Sequence, residues 1–266
     1  MTKEPILQLD GVTVQFGGLV AINEVDMHLS QGEFIGLIGP NGAGKTTLFN
    51  IITGSVHPTR GRVLFKGDSI VGRSSDALCH LGISRTFQNI RLFPQMTAFE
   101  NVALGLHSRP HYSILEAFVR SPRALRAERQ MRERAMGLLS MVGLADYAEN
   151  RAGNLPYGLQ RRLELARAMA TSPELLLLDE PAAGMNEDEC DEMVTIISRI
   201  HREMGYSVIL IEHHMNVVME LCRDSRIYVL NLGEILAEGY PQDIQNDPRV
   251  IDAYLGQKKE RYASRR

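Results

Sequence analysis

Residues 39–46 read Gly39-Pro40-Asn41-Gly42-Ala43-Gly44-Lys45-Thr46, which fits the phosphate-loop pattern G-x-x-x-x-G-K-[ST]. That spacing suits anion binding. Glycines at 39, 42 and 44 let the backbone take positive φ and turn its N–H groups onto an anion, Lys45 adds positive charge, and the Thr46 hydroxyl can reach Mg²⁺. An apolar stretch, Phe34 to Ile38, precedes the loop and a helix-like one, Thr47 to Ile52, follows it. Strand, glycine loop and helix N-terminus together bind the phosphates of a nucleoside triphosphate. The plain alternative is a glycine-rich turn with no ligand, and the flanking pattern argues against it.

A second group with chemistry is Leu175-Leu176-Leu177-Leu178-Asp179-Glu180-Pro181, two carboxylates at the end of an apolar run. The first can help hold Mg²⁺ and the second can activate an attacking water. Acidic residues that merely end a core strand are the alternative, and the phosphate loop in the same chain favours the chemical reading. Ahead of this run, Gly158 leads an amphipathic helix ending near Ala170, whose N-terminus is a second candidate anion site.

The elements that must position these residues follow from periodicity. Leu7 to Phe16, Ala21 to Leu29 and Gly61 to Gly67 alternate apolar and polar residues, as antiparallel strands do, with Gly17-Gly18 between the first two. Leu175 to Leu178 and Ser207 to Ile211 are short and wholly apolar, as buried parallel strands are. Between Asn101 and Tyr147 the pattern turns helical, with the charge-laced run Arg123 to Arg134 and with Pro110 and Pro122 as breakers, so an inserted helical lobe is expected. A hairpin, Arg226 to Gly239, and an amphipathic helix around Pro248 to Leu255 close the chain.

Composition narrows the class. At 266 residues and 44 % hydrophobic content, the chain can bury a full core. A net charge of −3 gives no global pull toward nucleic acid, although residues 258–266 are locally basic. Cys79, Cys190 and Cys222 lack C-x-x-C spacing, which argues against a disulfide framework or a zinc site. Met1 to Pro5 has no apolar signal core, and no run approaches the ~18 apolar residues of a spanning helix, so membrane association is expected to go through partners.

Phosphate loop, Gln88, the glycine-led helix, Asp179-Glu180 and His213, in that order, resemble an ATP-binding cassette (ABC) ATPase over residues 5–256. The resemblance implies an α/β P-loop ATPase with a mixed parallel core sheet, an antiparallel β subdomain and an inserted helical subdomain. It implies one domain over 1–256: a nucleotide-binding core (1–88 and 161–240), a helical subdomain (89–160), a C-terminal helix (241–256), and beyond it a basic tail (257–266). It implies that Phe16 stacks on adenine, that Gln88 contacts Mg²⁺ and the attacking water, and that His213 touches the γ-phosphate. Lys45, Gln88, Glu180 and His213 are then catalytic. Thr46, Gln88 and Asp179 hold the metal, residues Gly39 to Thr47 cradle ATP, and Tyr157 and Gly158 meet the ATP of a second cassette. As plain alternatives, Phe16 is a strand core residue, Gln88 a polar loop residue and His213 an exposed strand end.

Three features depart from the family pattern. The signature L-S-G-G-Q is here Leu155-Pro156-Tyr157-Gly158-Leu159, which removes a serine hydroxyl but leaves backbone N–H donors. Asn186 stands where aspartate is commoner, and His214 follows His213 where aspartate is usual. Within the superfamily, Arg85-Thr86-Phe87-Gln88, the insertion Leu106 to Glu133, Tyr157-Gly158, Gln160 to Glu164, Glu180 to Asn186 and the ending Asp252 to Gly256 together resemble the larger ATPase subunit of branched-chain amino acid importers. That implies a second ATPase, two permeases, an external binding protein and a peripheral place on the cytoplasmic face of the inner membrane, with no nucleic acid partner. The rival readings are a cassette of another transport system, a non-transport nucleotide-binding scaffold, and a cassette acting on nucleic acid. A GTPase is disfavoured because no Asn-Lys-x-Asp occurs.

Overall fold

The structure, a computed structural model, describes residues 5–106 and 122–254. Pro110, Leu255, Gly256 and the basic tail lie outside the described residues. Two sheets carry the fold. Strands β1 (Pro5–Phe16) and β2 (Leu19–Ser30) pair antiparallel through the Gly17-Gly18 turn, and β4 (Arg60–Phe65) with the short β5 (Asp68–Ser69) extends them on the other edge, giving the order β2-β1-β4-β5. The second sheet has the order β10-β9-β3-β8-β7-β6. Its members are β3 (Phe34–Ile38), β6 (Ile83–Arg85), β7 (Leu175–Asp179), β8 (Ser207–Ile211), β9 (Arg226–Asn231) and β10 (Glu234–Gly239). All pair in parallel except the β9–β10 hairpin.

The central strands are apolar on both faces because both faces are covered. Phe34, Ile38, Leu176, Leu178, Val208 and Leu210 join one buried cluster with helices α5 (Tyr157–Ala170) and α6 (Glu187–Met204) and with the helical lobe. Their neighbours Ile35, Leu37, Leu175, Leu177, Ile209 and Ile211 join the other, with helix α1 (Lys45–Ile52) and the antiparallel sheet. Strand alternation thus sorts each apolar run between two cores.

The helical lobe is built on α3 (Ala98–Leu106) and α4 (Pro122–Met141), which pack on each other, with α3 also against α5. A reciprocal cap starts α3: Glu100 N–H donates to Thr97 Oγ1 at 3.1 Å and Thr97 N–H to Glu100 Oε2 at 2.8 Å. Pro122, expected as a breaker, opens α4 instead, since a proline at a first helical position loses no internal hydrogen bond. Helix α2 (Ser75–Leu81) precedes β6, and α7 (Met215–Leu221) follows β8. After β10 come α8 (Pro241–Asn246) and a helix over 248–254, which matches the expected C-terminal helix.

Leu177 is fully buried in the middle of β7, and Leu177→Ala is expected to lower unfolding stability by roughly 2–5 kcal/mol through lost burial and a residual cavity. Urea denaturation of the two proteins measures it.

Candidate nucleotide site

The sheet brings the sequence-predicted residues together by strand order. Strands β3, β8, β7 and β6 are successive neighbours and run parallel. The phosphate loop follows β3, His213 follows β8, Glu180 follows β7 and Gln88 follows β6. All four groups therefore reach the carboxyl ends of adjacent strands, where open parallel sheets bind ligands.

Steric limits shape the phosphate loop. Gly39 has φ 151°, and a Cβ there would lie 2.0 Å from the Leu230 carbonyl oxygen. Gly44 caps α1 at φ 108°, with Ile22 Cδ1 at 2.7 Å and the Ala21 carbonyl oxygen at 2.8 Å from where a Cβ would sit. The first turn of α1 carries no acidic residue and its cap makes no side-chain hydrogen bond, so its N–H groups and dipole face an incoming anion. Lys45 is buried and donates to the carbonyls of Gly39 at 2.7 Å and Pro40 at 2.9 Å. Burial holds the Lys45 ammonium below the ordinary lysine range, opposed by the charges of Glu180 and Asp179.

Asp179 and Glu180 face different surroundings. Asp179 is buried and pairs with Arg85 at 2.6 Å; Arg85 also donates to Asn50 Oδ1 at 2.7 Å and lies 5.3 Å from the ring centroids of both Phe49 and Phe87. The Asp179 N–H donates to Thr86 Oγ1 at 3.1 Å. Glu180 sits just beyond the strand at φ 50°, with its N–H on the Ile211 carbonyl at 2.8 Å. Its carboxylate is held from both sides. Gln88 Nε2 donates to Oε2 at 2.9 Å, and His213 Nε2 lies 2.8 Å from Oε1.

An open cleft of about 760 Å³ is lined by the loop from Asn41 to Thr47 and by Gln88, Glu180 and His213, with Leu19, Val20 and Leu232 as its apolar wall. Phe16 stands opposite Leu19 at the strand turn, 51 % exposed, and is not among the lining residues. Tyr157 and Gly158 do not line the cleft either; they begin α5 beside the segment after Glu180. A Cβ on Gly158 would meet Glu189 Oε1 of the same chain at 2.6 Å, a contact the flexible end of that side chain would have to yield.

Three residues that sequence reasoning left without a role organise these loops. Arg85 neutralises Asp179. Glu212, 1 % exposed, accepts N–H groups from Ala182 at 2.8 Å, His213 at 2.8 Å and His214 at 3.2 Å, tying the segment after Glu180 to the histidine loop. Asn186, one of the departures, caps α6: its side chain accepts from Glu189 N–H at 2.9 Å while Glu189 accepts from Asn186 N–H at 3.0 Å. Asparagine caps a helix about as well as aspartate, so the swap keeps the cap.

Residues 22–183 match the ABC transporter family, and residues 234–260 match the branched-chain amino acid ATP-binding cassette transporter family. The chain belongs to the ABC transporter ATP-binding family. It is 44 % identical to the high-affinity branched-chain amino acid transport ATP-binding protein BraF of Pseudomonas aeruginosa, over 96 % of this chain and 99 % of that one. It is 42 % identical, with the same coverage, to the corresponding protein LivG of Escherichia coli. Among solved structures, the ADP conformation of MJ1267, an ATP-binding cassette of an ABC transporter, superposes with a TM-score of 0.81 at 30 % identity, covering 96 % of this chain and all of that one. A dimeric post-hydrolysis state of the cassette MJ0796 bound to ADP and Pi gives 0.74 at 28 % identity, over 88 % of this chain and 98 % of that one. The expected α/β cassette fold is borne out, and the chain is an ABC-type ATPase that binds nucleotide. Among the described residues no helix is long and apolar enough to cross a membrane.

Arg85→Ala is expected to leave Asp179 buried without its partner and to lower stability by about 3–5 kcal/mol. Thermal and chemical unfolding check it; a variant as stable as wild type would show that the pair adds nothing.

Proposed function

We propose that this chain is the ATP-hydrolysing subunit of an importer for branched-chain or related amino acids, a peripheral protein on the cytoplasmic face of the inner membrane. One observation carries the chemistry: Glu180 is held between Gln88 and His213 in the cleft that begins at the phosphate loop. The amino acid class is supported by the identity to BraF and LivG and by the match of residues 234–260.

In this reading, Lys45 and the backbone N–H groups of Gly39 and of residues 41–47 bind the phosphates of ATP. The apolar wall of Leu19, Val20 and Leu232, with Phe16 at its edge, takes the base. Thr46, Gln88 and Asp179 offer hydroxyl, amide and carboxylate oxygens, the hard donor set that suits Mg²⁺. Bound with ATP, that ion would offset charge on the phosphate oxygens. Glu180 accepts the proton of the attacking water, Gln88 orients that water, and His213 steadies the γ-phosphate.

Tyr157 and Gly158 stand apart from the cleft, so in this reading they serve the ATP of a second cassette, which supports a head-to-tail pair of ATPase subunits with two permeases and, outside, a binding protein. The helical subdomain over 89–160 faces the permease. A groove of about 350 Å³ lined by Leu78, Cys79, Phe87, Leu104 and Arg167 lies between that lobe and the core, and it is the surface we assign to a cytoplasmic helix of the permease. Phe87 puts the groove next to Gln88, so a permease that shifts this groove shifts the residue that contacts Glu180.

The experiment is deletion of the gene, followed by uptake of a panel of amino acids and affinity capture from membranes. High-affinity uptake of leucine, isoleucine and valine or related amino acids is expected to disappear, and the tagged protein is expected to bring down permeases. Unchanged uptake of the whole panel, with no permease captured, would overturn the importer reading.

A further inference from the structure

The signature departure at Tyr157 has a partner inside the chain. Tyr157, Arg161 and Glu164 lie one helical turn apart along one side of α5. The Tyr157 hydroxyl accepts from Arg161 Nε at 3.1 Å, and its ring rests against Gly184, where an added Cβ would meet Cε1 at 3.2 Å. The Arg161 side chain is 3 % exposed. Its Nη1 donates to the Phe87 carbonyl at 2.7 Å and meets Glu164 Oε2 at 3.4 Å, while Nη2 donates to the Gln88 carbonyl. Glu164, equally buried, accepts the N–H of Arg91 at 3.3 Å. The ion pair therefore grips the loop from Phe87 to Arg91 at both ends. The amide of Gln88 in turn donates to Glu180.

A buried ion pair is weak evidence for stability, because desolvation consumes most of what the charges gain and an apolar pair of similar size would often pack as well. What an apolar pair cannot do is hold two successive carbonyls in a forked grip, which is the geometry a guanidinium supplies. The tyrosine hydroxyl accepts the Nε–H on the remaining side of the same guanidinium, a role that the glycine usual at this signature position cannot fill.

We propose that Arg161 is a positioning residue: through the carbonyls of Phe87 and Gln88 it sets the Gln88 amide against Glu180, and Tyr157 ties that setting to the signature end of α5 and to Gly184. The inference rests on the reading of Gln88 and Glu180 given under Proposed function. It turns the departure from the family signature into a contact between the face offered to a partner cassette and the site of hydrolysis in the same chain.

The test is steady-state ATP hydrolysis by the assembled transporter carrying Tyr157→Phe, Arg161→Lys, Gln88→Ala and the double variants. Tyr157→Phe keeps the ring and removes only the acceptor; it is expected to lower kcat on the order of 3–10-fold with KM for ATP within about twofold. Arg161→Lys keeps the charge beside Glu164 but cannot reach both carbonyls, and an effect on the order of 10–100-fold on kcat is expected. In the Gln88→Ala background neither substitution should lower kcat further, because all three act on one contact. A purely structural role would instead lower the melting temperature and multiply with Gln88→Ala. If Gln88→Ala lowers kcat while Tyr157→Phe and Arg161→Lys stay at the wild-type rate, or if their effects multiply with it, the positioning role is overturned and the catalytic reading stands. Full turnover by Gln88→Ala itself would overturn both.

Discussion

The site depends on how one carboxylate is held. Glu180 follows a strand buried on both faces and takes a left-handed backbone conformation, with its N–H fixed on the carbonyl of Ile211 in the next strand. A non-glycine residue adopts that conformation only when its surroundings over-determine it. Here Gln88 and His213 grip the side chain from opposite sides, each at the end of a strand adjacent to β7. Moving any of the three strands would open the arrangement. The two apolar clusters on either side of the sheet keep the strands in register, so the packing of residues such as Leu177 and Leu210 bears directly on the chemistry.

Around that carboxylate, charges are buried only where something compensates them. Asp179 has Arg85, Glu212 has three backbone N–H groups, Arg161 has Glu164 and two carbonyls, and Lys45 has two carbonyls of its own loop. The first three links join separate segments, strand to strand, loop to loop and helix to loop, while Lys45 closes its own loop. Leaving any one partner alone would expose the other to the full penalty of an unpaired buried charge. The loops after β6, β7 and β8 are therefore held as one set.

The parts legible in the sequence were local or ordered along it. The phosphate loop, the alternating strands, the wholly apolar ones and the closing hairpin each carry a short-range pattern, and Gln88 and His213 could be placed because they follow strands in a known order. Lateral relations were not legible. Arg85 meets Asp179 across 94 positions, and Arg161 meets Phe87 across 74. Nothing in the spacing of either pair announces it. The packing of Gly158 against the side chain of Glu189, 31 positions on, is another such lateral relation. Leu19, Val20 and Leu232 went unnoticed as the apolar wall of the cleft because single apolar residues at turns look like ordinary surface.

The most direct test of Glu180 as the base is Glu180→Gln in the assembled complex, with ATP binding and hydrolysis measured separately. The substitution preserves shape and removes the proton acceptor. Binding should persist while hydrolysis falls by a factor on the order of 10²–10⁴. Turnover near that of wild type would contradict the role assigned to Glu180 and, with it, the mechanism built around this carboxylate.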